Sequence, residues 1–166
     1  MKYIIYVSLL LVFFFSCSQE GTKKQNPSLE NVMQVNEHRA MEDSLWRKAL
    51  NEGNFQAYNE ISNNYLLNLK ESELYYYSLI MANKYNCPEA YLHLYTILTK
   101  SSNFNGIEMV SDDSTTKNLS MFYLVRAYEL GDDKAKYIVD KHYGKNKAPL
   151  SKKFLEEIIN NMPYRK

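Results

Sequence analysis

The stretch "RAYELGDDKAKYIVDKHY" (residues 126–143) has the pattern of two short helices joined by a tight turn. Gly131 tolerates the left-handed conformation that ends a helix, and Asp132 directly after it is a favourable N-cap for the next helix. Ala127 and Ala135 lie eight residues apart on either side of the turn. Because their side chains are small, the two backbones can approach closely, and the stretch predicts a helical hairpin.

Two earlier stretches repeat this pattern, namely "KALNEGNFQAYNEISNNY" (48–65) and "MANKYNCPEAYLHLYTIL" (81–98). Each has two alanines eight residues apart, a residue suited to the left-handed conformation four positions after the first alanine, and a capping position next to it. The corresponding residues are Ala49, Gly53, Asn54 and Ala57 in the first stretch and Ala82, Asn86, Cys87 and Ala90 in the second. Cys87 is a poor cap, but Pro88 suits the first turn of a helix. Three hairpins of one pattern predict an all-α fold built from repeated helix pairs.

The third hairpin with its flanks, "FYLVRAYELGDDKAKYIVDKHYG" (122–144), carries an aromatic start, Leu-Gly, an acidic cap, two alanines and a final Tyr-Gly. It resembles the Sel-one-like repeats, relatives of the tetratricopeptide repeats, and the resemblance covers roughly residues 40–145. The resemblance implies a short right-handed solenoid of antiparallel helix pairs. It also implies a scaffold or adaptor that binds other proteins. A generic helical bundle is the alternative architecture.

Residues 99–117 separate the second and third hairpins and read as a polar loop without clear periodicity. Beyond the third hairpin, Ser151 is predicted to be the N-cap of a last helix, with Leu150 packing onto Leu155. One apolar face of this helix consists of Phe154, Leu155, Ile158, Ile159 and Met162. Since a stack of repeats exposes apolar surface at its ends, this helix is predicted to cap the stack.

The N-terminus has an apolar run over residues 3–15, which is shorter than the roughly 20 residues of a membrane-spanning helix. Its length is that of a signal-peptide core. Ser16 and Cys17 follow it, and the segment resembles a bacterial lipoprotein signal, although Phe14 stands where that family usually has Leu. The resemblance implies that Cys17 becomes the first residue of the mature chain and carries acyl groups. The alternative is an ordinary secretory signal with an incidental cysteine.

The expected organisation is a signal peptide over residues 1–16, a lipidated cysteine and flexible tether over 17–35, and a helical domain over 36–166. Ser18 follows the cysteine where some inner-membrane lipoproteins have Asp, so the outer membrane is the expected location. The whole chain has 20 Lys and Arg against 19 Asp and Glu, and removal of Lys2 leaves 19 against 19. A neutral chain gives no reason to expect nucleic-acid binding, and membrane attachment would depend on the acyl chains.

The sequence shows no arrangement typical of an active site. His38, His93 and His142 lie in separate segments, and none is paired at metal-ligand spacing. After acylation of Cys17 only Cys87 would remain, so no intrachain disulfide is expected. No glycine-rich phosphate loop or nucleophile elbow is found. The chain is therefore predicted not to be an enzyme and to need no metal or cofactor.

Tyrosine is the conspicuous feature, with 15 residues in a small chain. Tyr76, Tyr77, Arg126 and Tyr128 are predicted to form part of one partner-binding surface on the concave side of the solenoid, with Lys136 on the opposite side. The predicted function is that of an envelope scaffold or adaptor with a protein partner. Two alternatives are an immunity-type lipoprotein that neutralises a toxin and a glycan- or cell-wall-binding lipoprotein that uses exposed tyrosines.

Overall fold

A computed structural model describes residues 29–162 except for 69, 101, 105–106 and 110–112. The chain divides into two units, Met1–Glu37 and His38–Lys166. In the described part of the chain there are seven helices and one pair of short strands. They are α1 (Leu29–Glu52), α2 (Phe55–Leu67), α3 (Glu71–Tyr85), α4 (Pro88–Thr99), β1 (Ser102–Phe104), β2 (Ile107–Met109), α5 (Ser114–Glu129), α6 (Asp133–Tyr143) and α7 (Ser151–Asn160). The all-α prediction is confirmed.

The first helix begins at Leu29, inside the range 17–35 that the sequence assigns to a tether. Residues 1–28 lie outside the described part, and they include Cys17 and the whole predicted signal peptide. Of the helices that the structure describes, none is both long and apolar enough to cross a membrane.

The three predicted turns have the expected backbone. Gly53, Asn86 and Gly131 have φ values of 68°, 54° and 88°, which are left-handed. Asn54 and Asp132 cap the helices that follow, because their side-chain oxygens accept hydrogen bonds from backbone N–H groups three residues on, at 2.9 and 2.7 Å. Cys87, the N-cap residue before α4, makes no side-chain hydrogen bond to that helix, and Pro88 follows it. Local sequence therefore sets where each of these helix pairs turns.

The alanines of the three hairpins lie in the core, as predicted. All six are at most 5% exposed, namely Ala49, Ala57, Ala82, Ala90, Ala127 and Ala135. Larger apolar side chains surround them, and the fully buried ones include Ile61, Leu74, Leu94, Leu124 and Val139. The hydrophobic core is continuous through all three hairpins.

The centre of the packing is α5, which contacts α4, α6 and α7. Helix α3 packs against both α2 and α4. The segment predicted as an aperiodic loop instead contains β1 and β2, which pair antiparallel with Phe104 opposite Ile107 and Ser102 opposite Met109. This prediction is therefore corrected, because a short antiparallel pair of strands occupies part of the segment between the second and third helix pairs.

The prediction that Ser151 caps α7 is wrong. Ser151 is the first residue of the helix, and its backbone N–H and hydroxyl both donate to the carboxylate of Glu129, at 2.7 and 2.8 Å. Leu150 occupies the cap position and is 62% exposed. On the predicted apolar face Phe154 and Ile158 are buried, so α7 docks on α5 through these residues and through the Glu129 contact.

Candidate functional site

Tyr76 and Tyr77 belong to a cluster of aromatic rings between α1, α2 and α3. The Tyr77 ring centroid lies 4.0 Å from that of Trp46 and 6.1 Å from that of Tyr65. Tyr76 lies on the outside of the cluster, 64% exposed, with its ring 5.9 Å from Tyr77 in an edge-on arrangement. The cluster therefore presents one solvent-facing tyrosine on a tightly packed aromatic base.

Arg126 and Tyr128 lie near the turn between α5 and α6. Arg126 donates hydrogen bonds from Nη2 to Asn86 Oδ1 at 3.3 Å and from Nη1 to Glu129 Oε2 at 3.1 Å. Tyr128 is half-buried, and the ammonium of Lys136 lies 5.7 Å from its ring centroid. The assignment of Lys136 to the side opposite Tyr128 is wrong, because the first turn of α6 folds back over the end of α5.

The structure brings Tyr76 and Tyr77 together but does not bring them to Arg126. Tyr76 lies ten residues before Asn86, the partner of Arg126, which corresponds to roughly 15 Å along the axis of α3. On α5, Arg126 and Tyr128 are two residues apart and so leave the helix about 200° from each other. A single partner that contacts all four residues would have to span this distance and reach both sides of α5.

A buried polar network, missed in the sequence, connects three helices. The Tyr58 hydroxyl lies 2.8 Å from Ser78 Oγ and 2.9 Å from His93 Nδ1. Tyr58 and Ser78 are fully buried and His93 is 4% exposed. Because these residues lie 20 and 35 positions apart, no local pattern in the sequence indicates their contact. The network ties α2, α3 and α4 together.

Burial makes this network unsuited to acid–base chemistry near neutral pH. Desolvation, with a smaller contribution from the positive charge of Lys134, lowers the pKa of His93 to about 4. Desolvation also raises the pKa of Tyr58 far above its usual value, which outweighs the opposing hydrogen bond from Ser78. His93 Nε2 faces Glu89 Oε1 at 3.7 Å, but that carboxylate is also 3.3 Å from the ammonium of Lys134. The imidazole is therefore neutral and serves as a fixed hydrogen-bonding group.

A cleft of about 380 Å³ lies beside this network, at the N-terminal ends of α2, α4 and α6. Its lining residues are Phe55, Asn59, Cys87, Pro88, Glu89, Gly131, Asp132, Asp133 and Lys134. Cys87 is 1% exposed, and desolvation raises its pKa to about 11, so the thiol is protonated at neutral pH and is no nucleophile. Asp132 is occupied as the cap of α6, and Glu89 as the partner of Lys134. Asp132 and Glu89 therefore both have structural partners in this cleft.

No group of three or more His, Cys, Asp or Glu side chains able to hold a metal ion occurs among the described residues. The predicted lipidation site, Cys17, lies outside them. Comparisons with protein-family models, with curated proteins and with solved structures found no match for this chain. The candidate functional site with the best geometric support is thus the exposed aromatic surface around Tyr76.

Proposed function

We propose that this chain is a lipid-anchored helical-repeat protein of the bacterial cell envelope that acts as a scaffold or adaptor for a protein partner. In this proposal Cys17 carries the acyl chains and these anchor the protein in the outer membrane. The helix pairs form a short right-handed solenoid of Sel-one-like type, and α7 closes its C-terminal end.

The repeat architecture is supported by the turns. The left-handed residues Gly53, Asn86 and Gly131 occupy the same position in the three hairpins, and each is followed by the start of the second helix. The buried alanine pairs occur at the same offset from each turn. A repeat protein requires the same local backbone arrangement in each repeat, and these three turns meet that requirement.

The observation that carries the binding function is the environment of Tyr76. Its ring is 64% exposed, yet it rests on Tyr77, which in turn packs on Trp46. A tyrosine held in this way offers a large contact area and a hydroxyl, and it loses little side-chain entropy when a partner binds. Isolated exposed tyrosines do not have this support.

The experiment is capture of partners from the native host by the full chain, followed by calorimetric titration of the captured protein. Tyr76→Ala should weaken binding by about 1 kcal/mol or more, because the exposed ring would be a contact centre. The matched control is Tyr137→Ala, since Tyr137 is similarly exposed, at 69%, but lies on α6. Both variants should keep the far-ultraviolet circular dichroism spectrum of the parent.

Equal affinities for the parent and Tyr76→Ala would refute this surface. Tyr128→Ala and Arg126→Ala then test whether the partner reaches the far end of α3, with a stability measurement for Arg126→Ala because that residue also bonds to Glu129. If the captured protein is a toxin, the immunity alternative replaces the scaffold role. Binding of cell-wall glycan without a protein partner would instead favour the glycan alternative.

A further inference from the structure

The corner where α6 ends and α7 begins carries a dense positive charge that the neutral overall composition conceals. Residues 141–155 contain five lysines and one histidine and no Asp or Glu. The basic corner is defined by these lysines, namely Lys141, Lys145, Lys147, Lys152 and Lys153. They occupy the last turn of α6, the linker and the first turn of α7. All five are exposed.

The carboxylates near the basic corner do not neutralise it. Glu129 is occupied by Ser151 and Arg126, and Asp140 pairs with Lys136. Glu157 reaches only Lys153, at 4.0 Å, with the Lys153 side chain 62% and the Glu157 side chain 43% exposed, and Glu156, one helical turn after Lys152, forms no ion pair among the described residues. Among the described residues, the other four lysines of the basic corner have no acidic side chain within ion-pair distance.

Helix stabilisation explains only part of this charge. Lys141 and His142 lie in the last turn of α6, where the helix dipole favours cations. Lys152 and Lys153 lie in the first turn of α7, where the same dipole disfavours them. Four ammonium groups without an ion-pair partner in one region also repel each other. The charge therefore opposes local stability at α7, which points to an anionic ligand outside the chain.

We infer that the basic corner docks onto the phosphate-bearing headgroups of an anionic bilayer surface. All five cations are lysines. The ammonium group of lysine is a point charge that is attracted to a negatively charged surface, whereas recognition of one phosphate or carboxylate group favours the bidentate guanidinium of arginine. Leu150 lies in the middle of the basic corner and is 62% exposed, so it offers an apolar contact with the interface. The identity of the surface rests on the proposed lipid anchor, which would hold the folded unit near a membrane.

The test uses the full acylated chain in vesicles, so that the anchor is the same in every sample. A polarity-sensitive fluorophore is attached at Leu150→Cys, and Cys87 does not compete for the label because it is buried. The emission should shift to the blue in phosphatidylcholine vesicles that contain phosphatidylglycerol, and not in vesicles of phosphatidylcholine alone. High salt should reverse the shift, since the Debye length falls from about 8 Å at physiological ionic strength to about 3 Å at 1 M.

Charge neutralisation provides the matched comparison. Lys145→Gln, Lys147→Gln and Lys152→Gln together should lower the ratio of docked to undocked chains about a hundredfold, at roughly fivefold for each lysine, from about 1 kcal/mol per charge near an anionic surface. The control removes the same net charge elsewhere, through glutamine at Arg39, Arg47 and Lys48, which are exposed on α1. The control should keep the blue shift.

An emission that is independent of lipid charge, or equal in the two triple variants, would overturn the inference. So would loss of the shift in millimolar inorganic phosphate at constant ionic strength, because that result would indicate a discrete anion site instead of a surface. A different result would show that the proposed lipid anchor is wrong, because an unanchored chain would not float with neutral vesicles. Flotation of the unanchored chain with anionic vesicles would then report on the basic corner alone.

Discussion

Gly53 offers the sharpest test of how the first hairpin is built. A methyl group added there would lie 2.5 and 2.7 Å from two ring carbons of Tyr85, which is closer than non-bonded carbon atoms approach. The ring cannot yield easily, because its hydroxyl shares its single proton between the carbonyl oxygens of Leu50 and Asn51, at 2.8 and 2.9 Å. These carbonyls belong to the last turn of α1. The Tyr85 ring therefore covers the turn, and its hydroxyl provides a hydrogen-bond donor to carbonyl groups at the end of α1.

The expected cost of Gly53→Ala has two parts. The left-handed backbone, with φ of 68°, costs an alanine about 1–2 kcal/mol. Displacement of the Tyr85 ring adds about 1–3 kcal/mol, as overpacking does elsewhere. The smaller conformational entropy of unfolded alanine offsets about 0.4–1 kcal/mol. We expect a decrease of about 2–4 kcal/mol in the free energy of unfolding.

Gly131→Ala is the matched control, because the third turn has the same role without the steric conflict. Its φ is 88°, and an added methyl group would meet no atom within 4 Å. Only the backbone part applies, so the expected cost is about 1 kcal/mol. Asn86 shows that a residue with a side chain can occupy the corresponding position of the second turn.

The assay is chemical denaturation of the full chain followed by circular dichroism, with the free energy from linear extrapolation. In a Tyr85→Ala background the Gly53→Ala substitution should cost no more than Gly131→Ala, because the ring that it displaces is gone. Equal losses for Gly53→Ala and Gly131→Ala in the parent background would refute the packing of Tyr85 on the first turn. Absence of coupling between Gly53 and Tyr85 would refute it independently.

The alanine core, the buried imidazole and the predicted anchor can each be tested by substitution. Ala135→Leu should lower the free energy of unfolding by about 1–3 kcal/mol through overpacking, whereas Tyr137→Leu on the exposed face should change it by less than about 0.5 kcal/mol, both measured by denaturation. His93 has a folded-state pKa of about 4, below its usual 6.5, so the unfolded chain binds more protons between these values. The contribution of neutral His93 to the free energy of unfolding should be complete above pH 6.5 and fall by about 3 kcal/mol towards pH 4. In His93→Gln this pH-dependent decrease should be absent. If the free energy of unfolding of that variant decreases with pH as in the parent, the low pKa is not that of His93. Cys17→Ala should abolish incorporation of labelled fatty acid, and label on that variant would exclude the lipoprotein interpretation.

The positions of the hairpin turns were predictable because their determinants are local. A left-handed residue at Gly53 or Gly131 and a cap next to it act within one helical turn, so four or five letters of sequence are sufficient. The strands at 102–104 and 107–109 also had a local signal, since the dipeptide Asn-Gly at 105–106 is the sequence most typical of a two-residue turn between strands. That signal is weak here because each strand is only three residues long.

The candidate site was less predictable, because exposure depends on what other helices cover. Tyr76 and Tyr77 are adjacent in the sequence, but contact with Trp46 on α1 partly buries Tyr77, whereas Tyr76 stays in solvent. Tyr128 lies beside Lys136, although the two were assigned to opposite sides. Helical periodicity gives the face of a residue on its own helix. It does not give the direction in which that face points within the assembled fold.

The helical character of the chain, the turns within each hairpin and the alanines at the helix contacts could all be predicted from the sequence, because these properties depend on backbone preferences and side-chain size over a few residues. The contact of Ser151 with Glu129, the bond between Tyr58 and His93, and the balance of charge at the basic corner became visible only in the folded protein. These depend on pairs of groups distant along the chain, or on whether a lysine has a carboxylate beside it. Packing of the helices determines such distances, and no local pattern contains them.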